Sequence, residues 1–167
     1  YHSKRRRNGY LNLNITLERN LIMINKKVID NFLSDEDYSH IREMMFDHLH
    51  FPWYYTPGVA NEDDDNSIYF THTFFEKEFK LESKPHLQTL IPLLNKLEIP
   101  KDLWRVKGNL HPRGHNFIDN KPHIDYTEPH QAAIYYVNTN NGHTRLHDGT
   151  KIDSVANRLL LFDNILY

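Results

Sequence analysis

The chain contains no cysteine, which excludes disulfides and thiolate metal sites. Any metal must then be held by His, Asp and Glu, and a reducing, cytoplasmic setting is expected. No apolar run approaches the length of a membrane span, and no signal-peptide pattern opens the sequence. A net charge of −2 gives no general electrostatic case for a nucleic-acid partner. What is present is the profile of one globular domain, with 167 residues, 39% of them hydrophobic and 25% charged. Aromatic side chains make up 13%, including ten Tyr and nine Phe, which favours a β-rich structure.

Hydrophobic periodicity orders the chain. Leu11, Leu13, Ile15 and Leu17 alternate with Asn12, Asn14 and Thr16, predicting a half-buried strand. The basic run Lys4–Arg7 before it reads as a solvated turn. Met23 resembles an initiator and leads into a short strand. Ser34 followed by Asp35, Glu36 and Asp37 marks a helix start, continued by Ile41, Met44, Met45 and His48 to about His50. The Met pair reads as core filling. The acidic stretch 61–66 lacks calcium-loop spacing and reads as solvated loop. Ser67–Phe75 predicts a strand and Ser83–Leu97 a second helix, with Pro85 in its first turn and Pro92 threatening a kink. Strands follow at Leu103–Leu110, Pro122–Tyr126, Gln131–Asn138 and Arg158–Asp163, with a hairpin-like turn at Asp148-Gly149. Helices followed by closely spaced strands predict an α+β domain with a β-sandwich or jelly-roll core and two flanking helices.

The chemistry-bearing stretch is His123-Ile124-Asp125. In an extended strand the first and third residues face the same way, so an imidazole and a carboxylate can be aimed at one point. With one further His and open positions, that is the facial triad of non-heme Fe(II) oxygenases. Taken alone, such a pair arises by chance in a chain with twelve His.

The flanking sequence adds weight. Arg105-Val-Lys-Gly-Asn-Leu-His-Pro-Arg-Gly, His123-Ile-Asp, Ala133-Ile-Tyr-Tyr-Val-Asn, Gly142-His-Thr-Arg and Asn157-Arg-Leu-Leu-Leu-Phe-Asp follow one another, and His2, a basic residue and Gly9-Tyr-Leu-Asn-Leu-Asn complete the set. Placed in the order 23–167 and then 1–22, these pieces resemble Fe(II)/2-oxoglutarate-dependent oxygenases, particularly compact prolyl-hydroxylase-like members from phages and bacteria. A circularly permuted single domain, or one with segments out of natural order, is therefore expected over 1–167. The helical stretch 23–100 matches only in general character.

The resemblance implies a double-stranded β-helix in which His123 and Asp125 are proximal iron ligands and His2 the distal one. It further implies that 2-oxoglutarate chelates Fe(II), its far carboxylate meeting Arg7, with Arg5 and Arg6 as alternatives. A guanidinium suits a carboxylate because it offers two parallel donors. Asn109 and His111 fall where related enzymes place Asn and Tyr beside the cosubstrate. The implied reaction is hydroxylation of an unactivated C–H bond with O2, on a peptidyl or amino-acid side chain or another small molecule. If the written order is the natural one, the third ligand comes from His130, His143 or His147, each expected in a loop. His72, His86 and His115 read as satisfied or exposed histidines, with His115 and Arg113 also candidates for the pocket mouth. Arg158 is equally a structural or an active-site residue. A cupin-like metal enzyme indifferent to 2-oxoglutarate and a non-catalytic jelly-roll binding domain are the competing readings.

Overall fold

The computed structural model describes residues 9–18, 26–47, 50–57, 68–98, 103–113, 126 and 130–164. It is an α+β fold built on antiparallel strands. The strands are β1 (Tyr10–Glu18), β2 (Lys26–Ile29), β3 (Tyr54–Pro57), β4 (Ile68–Glu76), β5 (Leu81–Glu82), β6 (Leu103–His111), β7 (His130–Tyr136), β8 (His143–Arg145), β9 (Lys151–Asp153) and β10 (Arg158–Asn164). One sheet runs β2-β10-β7-β1-β6-β4-β3, with β5 also on β4, while β8 and β9 form a separate hairpin. Every pairing is antiparallel.

Strand β1 lies at the centre of the large sheet, bonded to β6 on one side and β7 on the other. Its odd-numbered residues Leu11, Leu13, Ile15 and Leu17 are buried, and they join Ile41, Met45, Phe74, Leu90, Leu93, Val106, Leu159 and others in one core cluster. The even-numbered side departs from expectation. Asn12 and Thr16 are 5% and 2% exposed, so the strand is buried on both faces rather than half-buried. Alternation in sequence correctly identified the strand, but it cannot tell a solvated polar face from a covered one.

The helical layer covers the apolar face. Helix α1 (Asp35–Arg42) starts where the Ser34 hydroxyl accepts from the Asp37 amide at 3.1 Å. Beyond Arg42 the chain widens into a π-helical turn over Glu43–Asp47, so the expected α-helix to His50 ends earlier. Within that turn Met45 is in the core, and Gly108 of β6 makes room for it. A Cβ at Gly108 would lie 2.9 Å from the Met45 methyl and 3.3 Å from the Phe74 ring. The predicted second helix is two short ones, α2 (Lys84–Thr89) and α3 (Ile91–Lys96), divided at Leu90. Pro92 is the cause, because it has no N–H to donate and its ring crowds the preceding turn. The forecast of two flanking helices is corrected accordingly.

The hairpin turn at Asp148-Gly149 is present and joins β8 to β9, two strands absent from the sequence reading. Gly149 has φ +81°, which only glycine adopts at little cost. Short strands β3 and β5 were also not anticipated; Pro in one and brevity in the other hide the β pattern. The strand expected at 122–126 lies outside the described residues apart from Tyr126.

Candidate functional site

The register of the sheet assembles the second, polar face. Asn12 is opposite Asn109 on β6 and Tyr136 on β7, and Asn14 is opposite Lys107 and Ile134. Thr16 is opposite Arg105 and Ala132, and Tyr10 is opposite His111. On β4, Thr71 faces Asn109, Thr73 faces Lys107 and Glu76 faces Arg105. Because alternate side chains share a face, these residues all point to the same side, away from the helices. The face so formed is mixed, with amides, hydroxyls and charges beside the apolar Ile134 and the buried Leu160, a composition that ligand sites share.

Hydrogen bonds give that face a direction. The Asn109 amide nitrogen donates to the Asn12 carbonyl oxygen at 3.2 Å, and the Asn12 nitrogen donates to the Tyr10 hydroxyl at 2.6 Å. The Tyr136 hydroxyl donates to Thr144 of β8 at 2.7 Å, tying the hairpin to the sheet. Two amide oxygens, those of Asn14 and Asn109, are buried with no partner among the described residues. A buried acceptor left unpaired costs about 1–3 kcal/mol, so such atoms mark a place where a donor from elsewhere belongs.

Electrostatics at this end favour neutral side chains. Burial, aided by the nearby Lys107 charge, pushes the His111 imidazole down to about 4. Its ring stacks on Tyr69 at 5.2 Å and 9° and leans on Tyr10 at 5.3 Å. Burial also raises the Tyr10 and Tyr136 hydroxyls, keeping both protonated. The Lys107 ammonium lies 6.0 Å from the centre of the Tyr69 ring.

At the other end of the face sits a charged and aromatic cluster. Arg105 and Glu76 approach to 4.0 Å, and the Tyr126 hydroxyl donates to Glu76 at 3.0 Å. The Arg105 guanidinium lies 4.9 Å over the Tyr126 ring, which also meets Trp104 and His130 at 5.5 and 5.7 Å. Tyr126 follows Asp125 directly in the sequence.

The expected site residues fare differently. His123, Asp125, His2, Arg5, Arg6 and Arg7 lie outside the described residues, as does His115. Asn109 and His111 are both on the polar face. His130 is not the loop residue foreseen: it opens β7 and is 1% exposed. His143 is in β8 and half-buried rather than in a loop, while His147 is exposed in the hairpin turn. His72 and His86 are satisfied, since the Ser83 hydroxyl bridges His72 Nε2 at 3.2 Å and His86 Nδ1 at 3.0 Å. The other His72 nitrogen lies 2.9 Å from the Pro52 carbonyl. Arg158 is structural, donating to both carboxylate oxygens of Asp30 and to the Asp153 carbonyl. Arg113 is exposed.

Sequence reasoning missed Asn12, Asn14, Lys107, Glu76 and Tyr126. The available signal was the Asn-x-Asn-x-Thr series on β1, a polar set that carries no charge until Glu18. Solvated strand faces are usually richer in charge. Among the described residues no three His, Asp or Glu side chains are grouped to hold a metal. The class defined by this arrangement is an antiparallel α+β protein with a buried polar sheet face. No family model matches the chain, and no curated protein or solved structure matches it.

Proposed function

We propose that this chain is an Fe(II)- and 2-oxoglutarate-dependent dioxygenase that hydroxylates a small or peptidyl substrate within a double-stranded β-helix. The observation that carries the reading is the buried polar face with its two orphan amide oxygens, flanked at one end by the residue that follows the His123-x-Asp125 pair. Orphan polar atoms and a covered hydrophilic surface fit a site that takes a polar ligand.

The topology supports the same reading. After β7 the chain leaves the large sheet, forms the β8–β9 hairpin, and returns as β10 beside β7. We take that excursion as one crossing between the two sheets of a jelly roll. The segment joining β6 to β7 contains His123 and Asp125. In the order 23–167 then 1–22, β1 becomes the last strand, inserted between β6 and β7.

On this reading His123, Asp125 and His2 hold the metal, and Arg7, or Arg5 or Arg6, takes the far carboxylate of 2-oxoglutarate. Bound iron with the keto acid supplies the activation of O2 that C–H hydroxylation requires. The chain's described residues do the rest. Asn109 and His111 line the bay, and His111 stays neutral there, so it orients a ligand by hydrogen bonding without adding charge. Burial of Asn12, Thr16 and Asn109 excludes water from the floor. Glu76 anchors Tyr126 and so constrains the chain next to Asp125.

The test is anaerobic addition of Fe(II) and 2-oxoglutarate while recording the visible spectrum. A charge-transfer band is expected for the wild type and is expected to vanish in Asp125→Ala and His123→Ala. No band in the wild type would remove the oxidative reading, and a band surviving in Asp125→Ala would remove that residue from the site.

A further inference from the structure

Across the sheet from the polar face, His72, Ser83 and His86 are joined through one hydroxyl. Thr71 and Thr73 of β4 face the polar side, so His72 and Phe74 face the helices. The Ser83 backbone is held from both sides: its amide donates to the Phe74 carbonyl at 2.8 Å, and its carbonyl accepts from the His86 and Leu87 amides at 3.1 and 2.9 Å. Ser83 is the N-cap of α2, yet its side chain bonds no backbone amide of that helix, which is the usual task of a Ser there. Its oxygen lies instead 3.2 Å from His72 Nε2 and 3.0 Å from His86 Nδ1.

One arrangement of protons fits these contacts. The Pro52 carbonyl can only accept, so His72 Nδ1, 2.9 Å away, carries the hydrogen. Burial lowers the His72 pKa and keeps the ring neutral near pH 7. Nε2 then bears a lone pair, the Ser83 hydroxyl donates to it, and the Ser83 oxygen accepts from the His86 Nδ1–H. A hydroxyl, a neutral base in line with it and an oxygen that fixes the base's tautomer are the three parts that activate a nucleophile. His72 is 3% exposed, while Ser83 and His86 are half-buried and so within reach of a small molecule. The surroundings are aromatic. The Phe51 ring lies 4.7 Å from His72 and 5.1 Å from His86, and the exposed Tyr54 ring stacks on His72 at 6.3 Å. The flanking charges, Glu82 and Lys84, are exposed and of opposite sign. A matching substrate is therefore uncharged and partly apolar, with an electrophilic carbon that can reach Oγ.

We propose that Ser83 is a nucleophile with His72 as its general base, and that this cluster hydrolyses small uncharged carboxylic esters. Ser83 Oγ attacks the ester carbonyl carbon while its proton passes to His72 Nε2. The adduct collapses with cleavage of the bond to the alkoxy oxygen, which leaves as the alcohol with that proton. A water molecule, giving its proton to His72, then attacks the acyl carbon. The carboxylic acid is released and the proton returns to Ser83 Oγ. The inference goes beyond the oxidative reading, lies on the other side of the sheet and requires no metal, so the two can fail separately.

The experiment uses the full chain with a chelator present. Diisopropyl fluorophosphate, which phosphorylates activated serines, is added and the adduct located by peptide mass mapping. Hydrolysis of 4-nitrophenyl acetate is followed in parallel. Ser83 is expected to be labelled about a hundredfold faster in the folded chain than in the chain unfolded in urea, and the labelled protein is expected to lose its esterase activity. The proposal is overturned if Ser83 takes no label, if folded and unfolded chains label it equally fast, or if ester hydrolysis survives labelling. Ser83→Ala should lose esterase activity by about tenfold or more, and unchanged activity would also overturn the proposal. That variant leaves two imidazoles without their shared partner, so Ser83→Cys guards against misfolding. It carries the chain's sole thiol, since the sequence has no cysteine. A thiol activated by His72 should react with iodoacetamide about tenfold faster in the folded protein than in urea. A half-buried thiol without such a base would react more slowly when folded, and that outcome sinks the proposal. Should neither variant fold, the labelling of the wild type decides. A chain that shows the iron–keto-acid band yet takes no label at Ser83 would remove this inference and leave the oxidative one standing.

Discussion

His111 shows how much of the site's character is decided by one side chain's surroundings. In the unfolded chain its imidazole takes a proton near pH 6.5, whereas in the fold it stays neutral down to about 4. As pH falls below 6.5 the unfolded state therefore binds the proton first, and stability present above 6.5 is lost progressively until about pH 4. At pH 5 the loss from this group is about 2 kcal/mol. His72, lowered by burial against Phe51 and Phe74, acts in the same direction. Replacing His111 with Phe keeps a ring against Tyr69 and removes the titration. Urea unfolding at pH 7 and pH 5 should show a smaller drop for His111→Phe than for wild type, and an equal drop would mean that other groups dominate acid sensitivity. Asn157 is a second case of local context. At φ +59° its side chain accepts from the Leu33 amide and the Tyr135 hydroxyl and donates back to the Leu33 carbonyl. It thereby pins the chain before α1 to the turn before β10. Nothing in the neighbouring residues announces that role, because its partners Leu33 and Tyr135 lie 124 and 22 positions away.

At the level of elements, period and caps were legible and layer membership was not. The Leu-x-Leu-x-Ile-x-Leu run of β1 and the Ser34 cap of α1 are local physics, and both are where the sequence placed them. Whether the Asn side of β1 meets water depends on what the rest of the chain lays over it. That is why Asn12 and Asn14 were read as a solvated face, and why Lys107 passed without notice between Val106 and Gly108. The division of the second helix at Leu90 was foreshadowed by Pro92, but only packing shows that Leu90 and Leu93 still reach the core. The π-helical turn is invisible in sequence, and it brings Met45 over β6 where Gly108 leaves space. A Val at position 108 must place Cβ and two methyls against the Met45 methyl, Phe74 and Trp53. Gly108→Val should cost about 2 kcal/mol through overpacking. Gly108→Ala should cost distinctly less, because its closest contact is the end of a flexible side chain. Thermal melts of the two variants give the order, and equal melting temperatures would show that the π-turn yields freely.

For the whole molecule the decisive feature is that the first described strand is the central one. β1 bonds along its length to β6 and β7, whose residues come from the second half of the chain, and β10 flanks β7 on its other side. Strand pairing depends on faces and register, not on which end of the chain supplies the strand, so β1 should dock equally well from the other terminus. Strands β10 and β1 run in the same direction, both being antiparallel to β7. A link must therefore travel back along the sheet, from beside His130 to beside His111. Seven strand residues and two strand spacings put those points roughly 25 Å apart. Residues 165–167 and 1–9 supply twelve positions, a reach of roughly 40 Å when extended. A chain rearranged to run 23–167 and then 1–22 is accordingly expected to fold to the same sheet, with an unchanged far-ultraviolet spectrum and a melting temperature within a few degrees. If the proposed iron site is correct, the same rearranged chain should also retain the charge-transfer band, because the rearrangement alters the covalent path to His2 and not the surface it must reach. A rearranged chain that collapses would show that β1 needs its present connection to β2 through residues 19–25, and the expectation of a permuted order would go with it.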